Sequence, residues 1–235
     1  MKISIVITVL ESYMIIKRQI KYFKSLNLPD NIEIIFIDDG SDPPISFTNH
    51  GLKNLSIYPT GDKRPWSQAC ARNLGAKIAE GEFLLMTDID HILTREAIAA
   101  VENFTGDKMR FSRTYAVLDK NGKINQKPKT LFKYGLSRKH YKRRGLSTIR
   151  HTNTFAMRRS VYFEIGGYPE RFCNRPKGGN KGDRTFYNQY KKHFMAGKCE
   201  PEVVGPQILT YPGLPADPLG VFHKLKRYPK GTPLR

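Results

Sequence analysis

The chain opens on residues 2–10, KISIVITVL, a stretch that is nearly all apolar and rich in β-branched side chains. A strand with one wet face alternates apolar and polar positions, so an almost unbroken apolar run predicts a strand buried on both faces of a parallel sheet. From Ser12 to Leu26 the period changes. Ile15, Ile16, Ile20, Phe23 and Leu26 fall on one side and bases on the other, which predicts an amphipathic helix ending before Pro29. Residues 32–38, IEIIFID, predict a second buried strand, stopped by the turn cluster DDGSDPP. Strand, helix, strand is one βαβ unit. A short strand at LSIYP, a helix from about Trp66 to Ala79 and a strand over EFLLMTDID continue the alternation. The expected fold class is α/β: one domain with a mostly parallel, mixed sheet flanked by helices.

Beyond Thr94 the pattern predicts a helix from Arg95 to Phe104 and a strand around Lys108 to Leu118. Residues 120–150 are rich in Gly, Lys, Arg and Ser with little apolar periodicity, and are expected to form a basic loop with a short helix. The run TNTFAMRRSVYFEIGGY predicts a strand leading into a short helix closed by glycine. From Tyr211 the chain carries Pro212, Pro215, Pro218, Pro229 and Pro233, which suits a lid or arm rather than long elements. At 235 residues, with no repeat and no clear domain boundary, one domain is expected.

Charge divides this domain in two. Residues 1–118 carry 14 basic and 14 acidic side chains, whereas residues 119–235 carry 26 basic and 7 acidic, so the whole formal charge of +19 belongs to the second half. Between Lys120 and Phe163 there is no Asp or Glu. A surface kept soluble by charge alone would mix the signs, so a polyanionic or phosphorylated partner is expected there. Cys70, Cys173 and Cys199 form no CxxC pair, which excludes a disulfide framework and a zinc ribbon and fits a reducing compartment. No apolar run is long enough for a membrane span, and the N-terminal one lacks a cleavage site, so no integral membrane contact and a cytoplasmic location are expected.

Two acidic groups stand where α/β sheets bind ligands, beyond the carboxyl ends of the strands. Asp38 and Asp39 follow the second strand and could accept hydrogen bonds from a base or ribose, although Asp-Asp-Gly-Ser is also ordinary turn chemistry. Asp88 and Asp90 close the strand EFLLMTDID. Side chains two apart on a strand share a face, and two carboxylates held together call for a proton or a divalent cation, with Mn²⁺ or Mg²⁺ on a diphosphate as the expected case. The alternative is a solvated strand terminus. P-loop, dinucleotide-binding, metalloprotease and nucleophile-elbow motifs are absent.

The order IVITVLES, IIFIDDGS, QACARNLGAKIAEGEFLLMTDID and NTFAMRRSVYFEIGGYPERF resembles the nucleotide-sugar glycosyltransferases of the Rossmann-like GT-A fold, family 2 in particular, over residues 3 to about 190. The resemblance implies that residues 1–118 form a nucleotide-sugar donor half, with a UDP-sugar expected, and residues 119–235 an acceptor half with a C-terminal arm. It places the nucleoside on Asp38 and Asp39 and on the first-strand turn, here Thr8, Val9 and Glu11 in place of the family's Pro-Thr-Tyr-Asn-like turn. It sets Arg72 near the diphosphate and the metal on Asp88 and Asp90, with His223 completing the shell and His91 competing for that role. It makes Asp183, the sole acidic residue between Glu170 and Glu200, the catalytic base, a position that also suits an N-cap for the helix TFYNQY.

Bases interleaved with Phe132, Tyr134, His140 and Tyr141 suit phosphate contacts and base stacking. Lys139, Lys142, Arg143, Arg144 and Arg150 are the expected acceptor contacts. The favoured acceptor is a hydroxymethylated pyrimidine in DNA, turned out of the stack as for bacteriophage enzymes, which would act in the bacterial host cytoplasm. A cell-surface polysaccharide, teichoic-type or lipid-linked acceptor, and a degenerate nucleic-acid binder without catalysis, are the alternatives.

Overall fold

The structure is a computed structural model and describes residues 3–46, 50–62, 64, 67–148, 153–173 and 179–213. Its frame is one twisted sheet in which the first βαβ unit lies near one edge. Strands β1 (Ile3–Val9), β2 (Ile32–Asp38), β3 (Leu55–Pro59) and β4 (Phe83–Asp88) run parallel in the order β3-β2-β1-β4. The sheet continues through β9 (Phe155–Arg158), β6 (Lys108–Tyr115), β10 (Val203–Thr210) and β5 (His91–Ile92). Strand β9 is antiparallel to both neighbours, and β5 is antiparallel to β10.

Both faces of β1 are covered, as its continuous apolar run requires. Ile3, Ile5, Ile7 and Val9 pack with Phe36, Phe83 and Leu85 under α1 (Tyr13–Leu26) and α3 (Arg95–Glu102). Val6, Ile35, Ile37, Leu84 and Met86 face the opposite way. They pack with α2 (Gln68–Ile78), α6 (Arg159–Glu164) and α7 (Gly179–Met195), whose Phe186 and Tyr190 are buried. Helix α2 comes close to the sheet at Gly75, where a Cβ would stand 2.3 Å from Val6 Cγ1. Any side chain there would push the helix off the strand.

Several expectations are corrected. The strand over EFLLMTDID ends at Asp88, and Ile89 and Asp90 lie in a turn before β5. The predicted strand to Leu118 breaks at Ala116 into β6 and a hairpin of β7 (Val117–Leu118) with β8 (Ile124–Asn125). The expected basic loop instead contains that hairpin's return strand and two short helices, α4 (Pro128–Lys133) and α5 (Arg138–Arg144). They are anchored by buried Leu131 and Leu136, with Phe132 and Tyr141 partly buried against the core. Helix α7 begins four residues before Asp183, so Asp183 is inside the helix and does not cap it. The proline-rich arm from residue 214 onward lies outside the described residues.

Candidate active site at the carboxyl end of the sheet

Strand register sets the floor of the site. Thr8 pairs with Ile37 on one side and Asp88 on the other, and Val9 pairs with Asp38, so β1, β2 and β4 end level with one another. The loops after β1 and β2 are then tied together. Asp39 N–H donates to the Val9 carbonyl at 2.8 Å, and Glu11 N–H donates to Ser41 Oγ at 2.8 Å. Glu11 is fully buried and holds φ +45°, an uncommon backbone state outside glycine, fixed here by the joined loops.

The two aspartates after β2 differ. Asp38 is 2% exposed, and its oxygens accept the N–H groups of Ser41 at 2.9 Å and Ile45 at 2.8 Å, so the carboxylate shapes its own loop. Asp39, also buried, accepts a hydrogen bond from Ser67 Oγ just ahead of α2.

Arg72 is the centre of the arrangement. Its side chain is 1% exposed; Nη2 donates to Asp88 Oδ1 at 2.5 Å and Nη1 to Asp183 Oδ1 at 3.0 Å. The guanidinium lies 4.6 Å from the centroid of Tyr168, a ring stacked in turn on Phe186 at 4.3 Å. Burial works against its charge, but Tyr168, Asp88 and Asp183 outweigh that cost and raise its pKa. Asp88 also accepts from Gln68 Nε2 and Asn153 Nδ2, each at 3.1 Å. Burial tends to lift the Asp88 carboxyl, and Arg72, His91 and Asn153 together hold it below the usual carboxylate range.

The turn after β4, not strand alternation, brings Asp90 beside Asp88. One ligand atom each from Asp88, Asp90 and His91 lie within 4.8 Å of one another. Gln19, buried on the apolar face of α1, donates through Nε2 to the carbonyls of Ile89 at 3.2 Å and His91 at 2.7 Å, and Tyr211 N–H donates to the Asp90 carbonyl. Arg113 Nη1 lies 2.6 Å from His91 Nε2, so Nε2 accepts and Nδ1–H points to Thr154 Oγ1, itself 3.0 Å from Thr87 Oγ1. Burial pushes the Arg113 pKa down while Asp90 and Asp88 pull it up.

A divalent cation is the group this fold implies, and the residues present fit it. Asp88 and Asp90 supply the carboxylate oxygens, and the His91 imidazole stands beside them with Nδ1–H held by Thr154 and Nε2 taken by Arg113, so His91 joins the set only once Arg113 releases it. Carboxylate oxygens suit Mn²⁺ and Mg²⁺ alike. His223 lies outside the described residues.

The structure thus brings Thr8, Val9, Glu11, Asp38, Asp39, Arg72, Asp88, Asp90 and Asp183 to one end of the sheet. Lys139, Lys142, Arg143 and Arg144 are exposed on α5, whose following residues Leu146 and Thr148 are tied to Tyr115 and Arg113 at the end of β6, and Arg150 is outside the described residues. Sequence reasoning missed Gln19, Gln68, Arg113, Asn153, Thr154 and Tyr168. Only Gln19 left a signal, as a polar residue within the apolar stripe of α1.

No curated protein matches the chain. Among solved structures, TarS of S. aureus superposes with TM-score 0.56 at 18% identity, over 89% of this chain but 36% of TarS. The TarS 1–349 fragment in complex with UDP gives TM-score 0.52 at 19% identity, over 89% of this chain and 60% of that one. The mannosyltransferase PcManGT from Pyrobaculum calidifontis, in complex with GDP-Man and Mn²⁺, gives TM-score 0.54 at 14% identity, over 99% of this chain and 66% of that one. The chain therefore has the GT-A fold and spans about a third of full-length TarS. The sequence model described as "Glycosyltransferase like family 2" matches residues 4–178, and the chain belongs to that family.

Proposed function

We propose that this domain transfers a sugar from a nucleotide-sugar, a UDP-sugar in the simplest case, to an acceptor hydroxyl, with Mn²⁺ or Mg²⁺ held by Asp88 and Asp90 and joined by His91 once Arg113 releases its Nε2. The observation that carries the reading is the single guanidinium of Arg72 joining Asp88 to Asp183 in a chain of family 2. Bound there, the cation would neutralise charge developing on the leaving diphosphate. Arg72 fixes the distance between the two carboxylates and orients both. Asp183, on α7, takes the proton of the attacking hydroxyl, a task separate from that of Asp88 and needing a separate carboxylate. The loop held by Asp38, Asp39, Glu11 and Ser41 receives the nucleoside, with Thr8 and Val9 beneath it.

For the acceptor, exposed Lys139, Lys142, Arg143 and Arg144 on α5 support a phosphate-bearing polymer. Among the described residues none of them pairs with a carboxylate. Hydroxymethylated DNA is the favoured case; a surface polysaccharide, teichoic-type or lipid-linked acceptor would use the same charges. The experiment is incubation with UDP-glucose and Mn²⁺, with and without EDTA, in the presence of plain DNA, hydroxymethylated DNA or a polyol-phosphate polymer. Metal-dependent UDP release is the expected result, and the acceptor that gains hexose mass identifies its class. Release unaffected by EDTA overturns the metal site. No donor cleavage or transfer with any common UDP- or GDP-sugar returns the chain to a binding role.

A further inference from the structure

The three cysteines are far apart in the sequence, yet two of them meet in the fold. Cys70 Sγ, in the first turn of α2, lies 3.0 Å from Cys173 Sγ, at the end of the 3₁₀ turn Glu170–Phe172. That is inside the van der Waals separation of two sulfurs and leaves about 1 Å to a covalent bond. Arg64 Nη2 donates to Cys70 Sγ at 2.9 Å, which eases negative charge on the sulfur pair. Cys173 is 5% exposed, whereas Cys70 is partly exposed, so Cys70 is the sulfur an oxidant can reach.

We propose that Cys70 and Cys173 form a dithiol site that closes reversibly to an intrachain disulfide when a low-molecular-weight disulfide is supplied. Passage of the Cys70 proton to Cys173 leaves a Cys70 thiolate, whose attack on one sulfur of oxidised glutathione forms a mixed disulfide and expels one glutathione thiolate. The Cys173 sulfur, giving up its proton to solvent, then attacks Cys70 Sγ and expels the second. Two protein thiols are oxidised and one glutathione disulfide is reduced to two molecules of glutathione.

Acidity supports this geometry. The hydrogen bond from Cys70 is the main cause that brings the Cys173 thiol down to about 7, with Arg64 assisting and burial opposing, while the same bond raises Cys70. The two sulfurs share a hydrogen bond in which either can be the donor, so a proton can pass between them and either can present the thiolate. Asn73, one turn along α2, donates to the Tyr168 carbonyl at 2.9 Å and to Glu170 Oε1 at 2.8 Å, so helix and turn are already fixed to each other. Closing the bond needs only a small sulfur displacement. The proposal does not depend on the sugar-transfer reading.

The test is peptide mapping of the intact wild-type protein after exposure to excess oxidised glutathione and alkylation of remaining thiols. The expected result is a Cys70–Cys173 linked peptide, loss of both alkylation sites together, their return with dithiothreitol, and an alkylatable Cys199. In Cys70→Ser and Cys173→Ser the remaining partner should carry at most a glutathione adduct and no intrachain link. A stable glutathione adduct on either residue of the wild type, a link to Cys199, or two thiols that stay alkylatable under excess oxidant would each overturn it.

Discussion

The end of the sheet and the α4–α5 segment both carry several charges, but they handle them in opposite ways. At the sheet end, Asp88 and Asp183 are matched to Arg72, and Asp90 lies near His91 and Arg113, all within a largely buried network. On α5 the bases are exposed and, among the described residues, unmatched by carboxylates. Buried charge is tolerated only when paired, because the desolvation cost of a lone ion is several kcal/mol. Exposed charge costs little and adds little to stability. The first region is therefore where substitution should damage fold and chemistry together, and the second is where it should change recognition alone.

The largest expected effect is on the metal side. Replacing Asp88 by Ala removes a proposed ligand and a partner of Arg72, and donor cleavage should fall ~10³-fold or more. Manganese binding measured by calorimetry should be lost in parallel. Retained manganese affinity in Asp88→Ala would move the cation away from this turn.

For the base, Asp183→Asn preserves shape and the hydrogen bond from Arg72 but removes the proton acceptor. Turnover should fall about 10²–10⁴-fold with the donor KM little changed. A turnover within a few-fold of wild type would leave Asp183 as an anchor for Arg72 only.

Arg72→Met tests the pairing itself. The side chain is 1% exposed, so removing it strands two carboxylates and should cost about 3–5 kcal/mol, lowering Tm by about 10 °C. Adding Asp88→Asn to Arg72→Met should recover part of that loss, and additive losses would mean that the two groups are not coupled. The pH dependence has a definite sign. Because the folded-state Asp88 pKa lies below its unfolded value, its contribution is present above about pH 4 and is lost as pH falls through the lowered folded value. Asp88→Asn should flatten this acid limb of the stability curve.

How far these regions could be anticipated depended on how local their causes are. Strands β1, β2 and β4 and helix α1 stand out because unbroken apolar runs and a clean helical stripe act over a few residues. Asp88 and Asp90 were visible as a pair, yet the turn that joins them is set by β5 pairing with β10, a contact between residues more than 100 positions apart. The Arg72–Asp183 bridge and the Cys70–Cys173 contact span 111 and 103 positions, so spacing arguments could not reach them. Asp183 suited a cap because it stands just ahead of the helix expected over TFYNQY. Packing of Phe186 and Tyr190 against Tyr162 and Tyr168 carries the helix back over Gly182 to Gly179, a case of tertiary context overriding propensity. Helices α4 and α5 left little periodicity because few of their residues are buried.

The smallest effect on the fold belongs to α5. Replacing Lys142, Arg143 and Arg144 together by Ala removes three exposed charges and keeps good helix formers, so thermal stability should stay within about 0.5 kcal/mol per site. Donor cleavage should not change, because those side chains are not among the groups that hold Arg72, Asp88 or Asp183. Binding to a phosphate-bearing acceptor should weaken, and each base that contacts a phosphate should lower the slope of log affinity against log salt by about one. Titrating wild type and the triple variant with duplex DNA from low to physiological salt reads this directly. A slope that falls by two or three with donor cleavage intact separates the two regions as argued. An unchanged slope removes α5 from acceptor binding, and a parallel loss of donor cleavage would mean that α5 reaches the donor site and that the two regions act as one.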